Sequence, residues 1–264
     1  MRTVDFSQVL FDAVQFTGND RNNINADTFA QFRDFAQFRL KEAWESNQWN
    51  DVVRLQYFTT QTDPPEGPPS LQDNGVTYFV QDPLASEVLG VWNRNPLDST
   101  RAVQIGYTLY DSGTVKKVIV MSIISEGWYL YRLPVPALTG DPYDPAVTYF
   151  QGVQIYFDSG SGTGALMPVL GKPHSGNFYI CNVPSTIAGQ NPNNTPTAWT
   201  KINIPYIFGM YMSWGAAANW FVSETMVVEA ASLEAKSKEV LDLEYDKFLR
   251  QQGQFGRINM YKTY

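Results

Sequence analysis

The sequence contains one cysteine, Cys181, and one histidine, His174, among its 264 residues. A single cysteine excludes an internal disulfide and any zinc site built on several cysteines. A single histidine leaves too few ligands for a histidine-built metal centre, and a Ser-His or Cys-His catalytic system would have to use His174. His174 precedes Ser175 in a turn-like stretch without a nucleophile-elbow pattern, so we interpret it as an exposed loop residue. Cys181 ends an apolar stretch and is interpreted as a small buried hydrophobe.

Cofactor motifs are missing as well. The glycine-rich stretch 160–164 lacks the Gly-Lys-Ser/Thr ending of a phosphate-binding loop, and no Rossmann spacing is present. No pair of carboxylates lies in a cleft-like aromatic context that would single it out as a glycosidase pair. The sequence therefore predicts a non-enzymatic protein without a cofactor or a metal.

Charge is scarce. Asp, Glu, Lys and Arg make up 17% of the chain, against roughly 25% in an ordinary soluble domain. The formal net charge of -7 argues against general nucleic-acid affinity, which requires basic patches that displace counterions from phosphates. Aromatic residues reach 14%. Few charges combined with many aromatics indicate that partners bury much of the surface.

A charge-free and largely apolar run, residues 202–222, is long enough to cross a bilayer. It contains Asn203, Pro205 and Asn219 and continues into a charged helix, so we interpret it as a buried helix, with a membrane span as the less favoured alternative. The first residues lack a basic segment followed by an apolar stretch, so we expect no secretory signal.

Residues 1–60 are interpreted as helical. Asp5 or Ser7 begins a short helix to about residue 14, and Asn25 or Asp27 begins a longer one that ends near residue 47. One face of the longer helix carries an apolar stripe, formed by Phe29, Phe32, Ala36, Leu40 and Ala43. Phe35 and Phe38 lie off this stripe. Either they belong to a wider core, or they form a second buried face against another subunit.

The middle of the chain is strand-like. After the Pro64–Pro69 turn or linker, residues rich in β-branched and aromatic side chains recur at 76–80, 88–92, 103–107, 115–120 and 127–131. Short strands at this spacing favour an antiparallel sandwich or barrel. The prolines after Leu133 close it, because proline cannot continue a central ladder.

The C-terminal part returns to helix, with Pro205 in its first turn and Gly209 and Gly215 marking close packing. After Glu224 the helix becomes amphipathic and is expected to end at Gly253. Its broad apolar face is formed by Met226, Ala230, Leu233, Val240, Leu241 and Phe248. Glu234 and Lys238 form a favourable pair four residues apart.

A basic and aromatic tail follows this helix. No acidic residue occurs after Leu249, and the tail carries Arg250, Phe255, Arg257, Ile258, Met260, Tyr261, Lys262 and Tyr264. A frayed terminus is the ordinary interpretation of a chain end. The number of anchor side chains favours docking into a partner's groove instead.

The segments Phe32–Phe35, Leu40–Glu45, Ser86–Trp92 and Leu249–Gln254 resemble the head–tail connector (adaptor or neck) proteins of tailed bacteriophages. The resemblance covers roughly residues 1–136 and 204–264. It implies a helical core built from both chain ends and a ring of copies, usually twelve, around a DNA channel. It also implies a tail that docks into the portal protein, a downstream neck or tail partner, and genomic DNA that passes through without sequence-specific binding. The location implied is the virion neck, assembled in the host cytoplasm.

Residues 141–203 resemble the small chitin- and cellulose-binding modules of bacterial chitinases. The resemblance is carried by Tyr143–Tyr149, Gly152–Tyr156, Gly176–Cys181 and Pro196–Thr200. It implies a small β module with aromatic side chains that stack on sugar rings. Tyr143 and Trp199 are the candidates for stacking on a surface glycan, whereas Tyr149 and Tyr179 sit within strand patterns and are interpreted as core. Alternatively, all of these rings fill the core of a small domain that has little else to bury.

The expected fold class is therefore α+β, in three parts. Residues 1–60 and 204–264 form a helical adaptor core with its docking tail, residues 61–136 an antiparallel β domain, and residues 137–203 an inserted β module. The expected function is that of a ring-forming phage neck adaptor, and the alternative is a virion or secreted glycan-binding protein that uses the inserted module.

Overall fold

The computed structural model describes residues 2–20, 24–62, 77–98, 100–111, 116–164, 166, 175–186 and 188–260, and for residues 251–260 it describes the backbone alone. The helices are α1 (Phe6–Phe16), α2 (Ala26–Ser46), α3 (Gly209–Ser223) and α4 (Val227–Met260). The first nine strands are β1 (Thr3–Val4), β2 (Val53–Thr59), β3 (Gln61–Thr62), β4 (Thr77–Val80), β5 (Glu87–Trp92), β6 (Gln104–Ile105), β7 (Tyr107–Asp111), β8 (Lys116–Val120) and β9 (Glu126–Arg132). The others are β10 (Asp141–Pro142), β11 (Gln154–Asp158), β12 (Gly176–Cys181), β13 (Trp199–Lys201) and β14 (Ile204–Pro205). The expected α+β class is confirmed.

The predicted strand 103–107 is two strands, β6 and β7, which lie in different sheets and are separated by Gly106, and β1 and β3 were not predicted. Three further differences concern the helices. Residues 53–59 form strand β2 rather than helix, and at its end Phe58 is buried between the exposed Tyr57 and Thr59, which is the alternation of a strand. Pro205 belongs to β14 rather than to a first helical turn, and α3 begins at Gly209. Helix α4 continues through Gly253 to Met260. A single glycine costs a helix about 1 kcal/mol relative to alanine, which is too little to end it here.

The chain divides into two compact units that differ from the three expected parts. One unit, here called the helical unit, contains residues 1–47 and 135–254; the other, the β unit, contains residues 48–134 and 255–264. The segment expected to be a separate inserted module therefore belongs to the same unit as the helices.

The helical unit is built around α3, whose residues are buried on nearly all sides. Phe16 of α1 stacks on Trp214 with ring centroids 3.5 Å apart, and Trp44 of α2 lies 6.1 Å from Phe208. The side chain of Asn25 caps α2 by accepting a hydrogen bond from the amide of Thr28 at 2.7 Å. The charge-free run 202–222 is thus a strand followed by a buried helix. No helix of the described part of the chain is long and apolar enough to span a bilayer.

Strands β10 to β13 form a sheet that is buried on both faces. On one face, Tyr156 and Phe178 lie 4.9 Å and 6.4 Å from Phe29 of α2, and Phe178 also lies 4.7 Å from Phe6 of α1. The other face covers a separate core that contains Ile155. Because the sheet supplies side chains to both cores, it is part of the helical unit's fold.

Polar side chains tie this sheet to the start of α1. Asn177 is 1% exposed; its carbonyl oxygen accepts from the amide of Phe6 at 3.3 Å, and its amide donates to Asp5 at 2.8 Å. Lys201 pairs with the same aspartate at 2.9 Å, and the amide of Gly176 donates to the hydroxyl of Ser7 at 3.0 Å. Asn177 thus caps α1 in place of Asp5, whose side chain makes no capping bond.

The β unit contains two four-stranded antiparallel sheets. Their orders are β2-β9-β5-β6 and β3-β4-β8-β7. Only Thr60 separates β2 from β3, and only Gly106 separates β6 from β7, so two stretches of chain pass from one sheet to the other. Val91, Val118 and Tyr129 are almost completely buried between them.

Replacing Asn177 tests the link between the sheet and α1. We expect Asn177→Ala to lower the free energy of unfolding by about 1–3 kcal/mol, because the amide of Phe6 and the carboxylate of Asp5 lose a buried partner. Urea denaturation measures this difference. The exposed Asn182, whose side chain donates only to Thr200 at 2.6 Å among the contacts described, is the matched control. Its alanine variant should change stability by less than about 0.5 kcal/mol, and equal effects at the two sites would contradict the capping role.

Candidate functional site

Arg39 is a charged residue inside the helical unit, at 6% exposure. One guanidinium nitrogen donates to Glu234 of α4 and to Asn219 of α3, both at 2.6 Å, and another donates to Glu42 at 3.2 Å. The side chain crosses α3 at Gly215, where an added Cβ would lie 2.6 Å from Arg39 Cδ. Gly215 is therefore required by the passage of Arg39, which confirms the close packing expected there.

These contacts shift the pKa values of both partners toward the charged forms. Burial alone would lower the pKa of Arg39, but its hydrogen bonds to Glu234 and Tyr211 and the charge of Glu234 outweigh burial and raise it. Burial alone would raise the pKa of Glu234, but the hydrogen bond and positive charge of Arg39 outweigh burial and lower it. The predicted pair between Glu234 and Lys238 is present at 3.3 Å.

Helix α4 is anchored by its first three turns. Ala230 and Leu233 pack against α3, and the hydroxyl of Ser237 donates to the carbonyl of Tyr211 at 3.0 Å. Of the residues that follow, 238–250, none is buried. Their apolar members Val240, Leu241, Tyr245 and Phe248 are only partly covered, and Leu243 and Leu249 are 52% and 44% exposed. We call residues 238–250 the distal segment of α4.

The candidate docking tail continues from this distal segment. Arg250 is exposed. Phe255, Arg257, Ile258 and Met260 lie on the last turns of α4, whose side chains are outside the described structure, and so are Tyr261, Lys262 and Tyr264 entirely. The tail is therefore a continuation of a 34-residue helix rather than a segment that begins after one.

The two candidates for a subunit interface differ in exposure. Phe38 is 54% exposed, whereas Phe35 is partly buried and lies 6.5 Å from Phe32 in an edge-to-face arrangement. Phe35 thus contributes to a wider core and Phe38 is the more available of the two. Their role at an interface stays a prediction.

The two candidates for glycan stacking lie inside a core. Tyr143 and Trp199 are each 5% exposed. Tyr143 lies 5.7 Å from Tyr149, and Trp199 packs edge-to-face against the same tyrosine at 5.6 Å. Neither ring presents a free face to a sugar, because both faces of this small sheet are needed to bury apolar surface. The core interpretation, also made for Tyr149, fits better.

An open groove of about 520 Å³ lies in the same sheet. Its lining combines polar side chains with apolar ones: Thr139, Asp141, Pro142, Asp144, Val147, Tyr149, Gly152, Val153, Gln154 and Ile155. Asp141 pairs with Arg33 of α2 at 2.9 Å and remains 89% exposed. Phe150, 60% exposed, lies in the turn that contributes Gly152 and Val153, closed by a 3.1 Å hydrogen bond from the amide of Val153 to the carbonyl of Phe150.

Cys181 and His174 are the remaining candidates. Cys181 is fully buried, as expected, with its thiol 3.4 Å from the carbonyl of Val183. His174 lies outside the described residues. Within the described residues, no group of three or more His, Cys, Asp or Glu side chains is arranged to hold a metal ion.

Sequence reasoning missed the Arg39 contacts and the groove. The signal for the first was available, since Arg39 lies between Ala36 and Ala43 on the apolar stripe of α2, and a charge there requires a buried partner. Nothing in the sequence identifies Phe150 as the exposed aromatic residue of its segment.

The pairing of Arg39 with Glu234 predicts a dependence of stability on pH. We expect Glu234→Gln to lower the free energy of unfolding at pH 7 by about 1–2 kcal/mol, because a charged hydrogen bond becomes neutral. The folded pKa of Glu234 lies below the ordinary 4.5, so its contribution is complete above about pH 4.5 and is lost as pH falls through the folded value.

The difference between wild type and Glu234→Gln, measured by urea denaturation from pH 7 to pH 3, should therefore shrink in acid. Glu239→Gln, at an exposed position of the same helix, should show no such difference at any pH. If the difference in free energy of unfolding between wild type and Glu234→Gln stays constant down to pH 3, the ionic contribution is ruled out.

The chain matches no model of a known protein family and no curated protein.

Proposed function

We propose that this protein is a structural component of a phage neck, a ring-forming head–tail adaptor that binds the portal protein through its C-terminal helix. The observation that carries the proposal is the distal segment of α4. It follows an anchored start, retains a partly covered apolar stripe, and continues into basic and aromatic residues. A helix face that its own unit does not bury is suited to a groove on a partner.

Charge supports the same assignment. Three of the 19 Lys and Arg residues, and none of the 26 Asp and Glu residues, lie after Leu249. A basic helix end on an otherwise acidic protein favours one orientation of docking onto a partner. In a ring, the acidic remainder would repel phosphates, so that genomic DNA passes without binding.

The proposal includes the expected partners and location. The protein acts without catalysis, in a ring of copies, usually twelve in the connectors it resembles, between the portal and a downstream tail protein. It belongs to the neck of the virion and assembles in the host cytoplasm. In this proposal the β unit is a small closed barrel. The support for a barrel is that two continuous stretches of chain, β2 with β3 and β6 with β7, each contribute a strand to both sheets.

Truncation after Gly253 tests the docking tail. The variant keeps the anchored turns of α4, so it should still fold, which its circular dichroism spectrum and a cooperative thermal transition check. We expect its affinity for the cognate portal protein to fall by about a hundredfold or more, because the aromatic and basic anchors of an interface carry most of its energy. Calorimetric titration of both proteins measures this. Wild-type affinity after truncation would overturn the proposal.

A second candidate function, glycan binding, is favoured by the groove. Carboxylate, amide and hydroxyl groups line it, and the exposed Phe150 lies in a turn at its edge. Such a combination can hydrogen-bond sugar hydroxyls while an aromatic face covers the apolar side of a pyranose ring. The stacking residue in this candidate is Phe150, in place of Tyr143 and Trp199.

Phe150→Ala tests this second function. If the groove binds sugars, chitin or peptidoglycan fragments should perturb the amide resonances of residues 139–155 in the wild type. The variant should bind at least about tenfold more weakly, because it loses the stacking surface. Val222→Ala, at an exposed residue of α3, serves as the control. An absence of any perturbation at millimolar fragment concentration would exclude glycan binding by this groove.

A further inference from the structure

The turn between α3 and α4 ends α3 with a Schellman motif. The amide of Met226 donates to the carbonyl of Phe221 at 2.9 Å, and the amide of Thr225 donates to the carbonyl of Val222 at 3.0 Å. This motif places one residue in the left-handed conformation, usually glycine, because a side chain with a β carbon is strained there. The residue at that position is Thr225, with φ of 61°. The turn therefore carries backbone strain.

The sequence of this turn is also compatible with a continuous helix. No glycine or proline occurs between Gly215 and Gly253, and these are the residues that most often interrupt or end a helix. If residues 224–226 became helical, α3 and α4 would join into one helix from residue 209 to residue 260, and the strain at Thr225 would be released. We call these two arrangements the bent form and the straight form.

The packing of α4 on its neighbours keeps a single copy in the bent form. Ala230 and Leu233 belong to one apolar cluster with Ala218 of α3, and Glu234 pairs with the buried Arg39 at 2.6 Å. Straightening within a lone copy would uncover Ala218, which is 1% exposed, and would take Glu234 away from Arg39. Each of these losses stabilises the bent form.

A second copy can supply the same contacts. In the straight form, α4 of one copy would occupy, on the next copy, the surface of α3 that the next copy's own α4 has left. Every contact across this interface is then made again between identical residues. The balance between the two forms therefore depends on the turn and on protein concentration, and short turns under strain favour this kind of exchange.

Exposed apolar side chains at the turn support the presence of a second copy there. Val222, Val227 and Val228 are 62%, 72% and 80% exposed. The turn is the point from which α4 would pass from one copy to the next, so exchange brings the two copies together at these side chains. Burying them between copies would stabilise the exchanged form.

We propose that the copies of this protein join by exchanging α4. Each copy donates its α4 to the next copy, and Glu234 of the donating copy pairs with Arg39 of the receiving copy. The contact is head-to-tail, and such contacts close into rings when the rotation per copy allows it. This inference rests on the proposed ring-forming function and names the element through which the copies join.

Mixing two single-cysteine variants of the full chain tests the exchange. Ala218 and Ala230 are 1% and 6% exposed within one apolar cluster, so cysteines at these positions meet between copies only when α4 is exchanged. When Ala218→Cys and Ala230→Cys are incubated together over a range of concentrations and oxidised, we expect at least about tenfold more linked dimer than from either variant alone. The wild type, with the buried Cys181, gives the baseline. The double variant at high dilution, which should link internally, shows that the two positions can be bridged.

Thr225→Gly tests the role of the turn without relying on a disulfide. Glycine adopts a positive φ without strain and is a poor helix former, so it favours the bent form twice over. We therefore expect self-association, measured by particle mass, to fall at least about tenfold. The matched control is Glu224→Gly, at an exposed neighbour whose φ is already negative at -87°. It should change self-association by less than about threefold. Equal losses in the two variants, or no loss in Thr225→Gly, would overturn the proposal.

The outcomes separate the exchange from the adaptor function. Rings seen by particle mass without linkage between the two cysteine variants would overturn the exchange and leave the adaptor function standing. Linked pairs that never grow beyond two copies would support exchange of α4 and overturn the ring. A chain that stays monomeric and unlinked at every concentration, alone and with portal, would overturn both.

Discussion

The buried charge of Arg39 constrains the whole helical unit. A guanidinium at this depth must have acceptors around it, and they come from three helices: Glu42, Asn219 and Glu234. Removing one partner of a fully buried pair typically costs about 3–5 kcal/mol, and the cost here is smaller because Glu234 is 30% exposed. A placement of α4 that moved Glu234 away would leave the buried guanidinium of Arg39 without its shortest ion pair.

The sheet of β10 to β13 also constrains how the helical unit packs. In a carbohydrate-binding module attached only by linkers, neither face of the sheet would pack against helices outside the module. Here Tyr156 and Phe178 pack against Phe29 of α2 on one face of the sheet. Ile155, on the other face, belongs to the separate core of this segment. The segment is therefore structural for α1 and α2, and the buried positions of Tyr143 and Trp199 follow from the limited apolar surface that so small a sheet has available.

Local sequence patterns predicted the helices and strands well wherever apolar residues recur with one clear period, that of a helix or that of a strand. The stripe of α2 and its cap at Asn25 are visible in the sequence, as are most strands between residues 77 and 132. Strand β2 was missed because its seven residues follow a long helix and mix aromatic with polar side chains.

The candidate sites were harder to predict from the sequence than the helices and strands. The burial of Tyr143 depends on a packing partner distant in the chain, and the exposure of Phe150 depends on a tight turn. One signal was present: the uninterrupted apolar run Ile155–Phe157 indicates a strand covered on both faces, which argues against a free-standing module.

The turn between α3 and α4 contains Thr225 in a left-handed conformation, with φ of 61°. A β-branched residue there costs about 1–3 kcal/mol of strain, and the turn, whose side chains are exposed, is closed by backbone hydrogen bonds from Glu224, Thr225 and Met226 to the end of α3. Helix α4 is about 50 Å long at 1.5 Å per residue. Because Ala230, Leu233 and Ser237 fix its first three turns on α3, the packing of those turns, rather than the turn at Thr225, sets the direction in which the rest of the helix points.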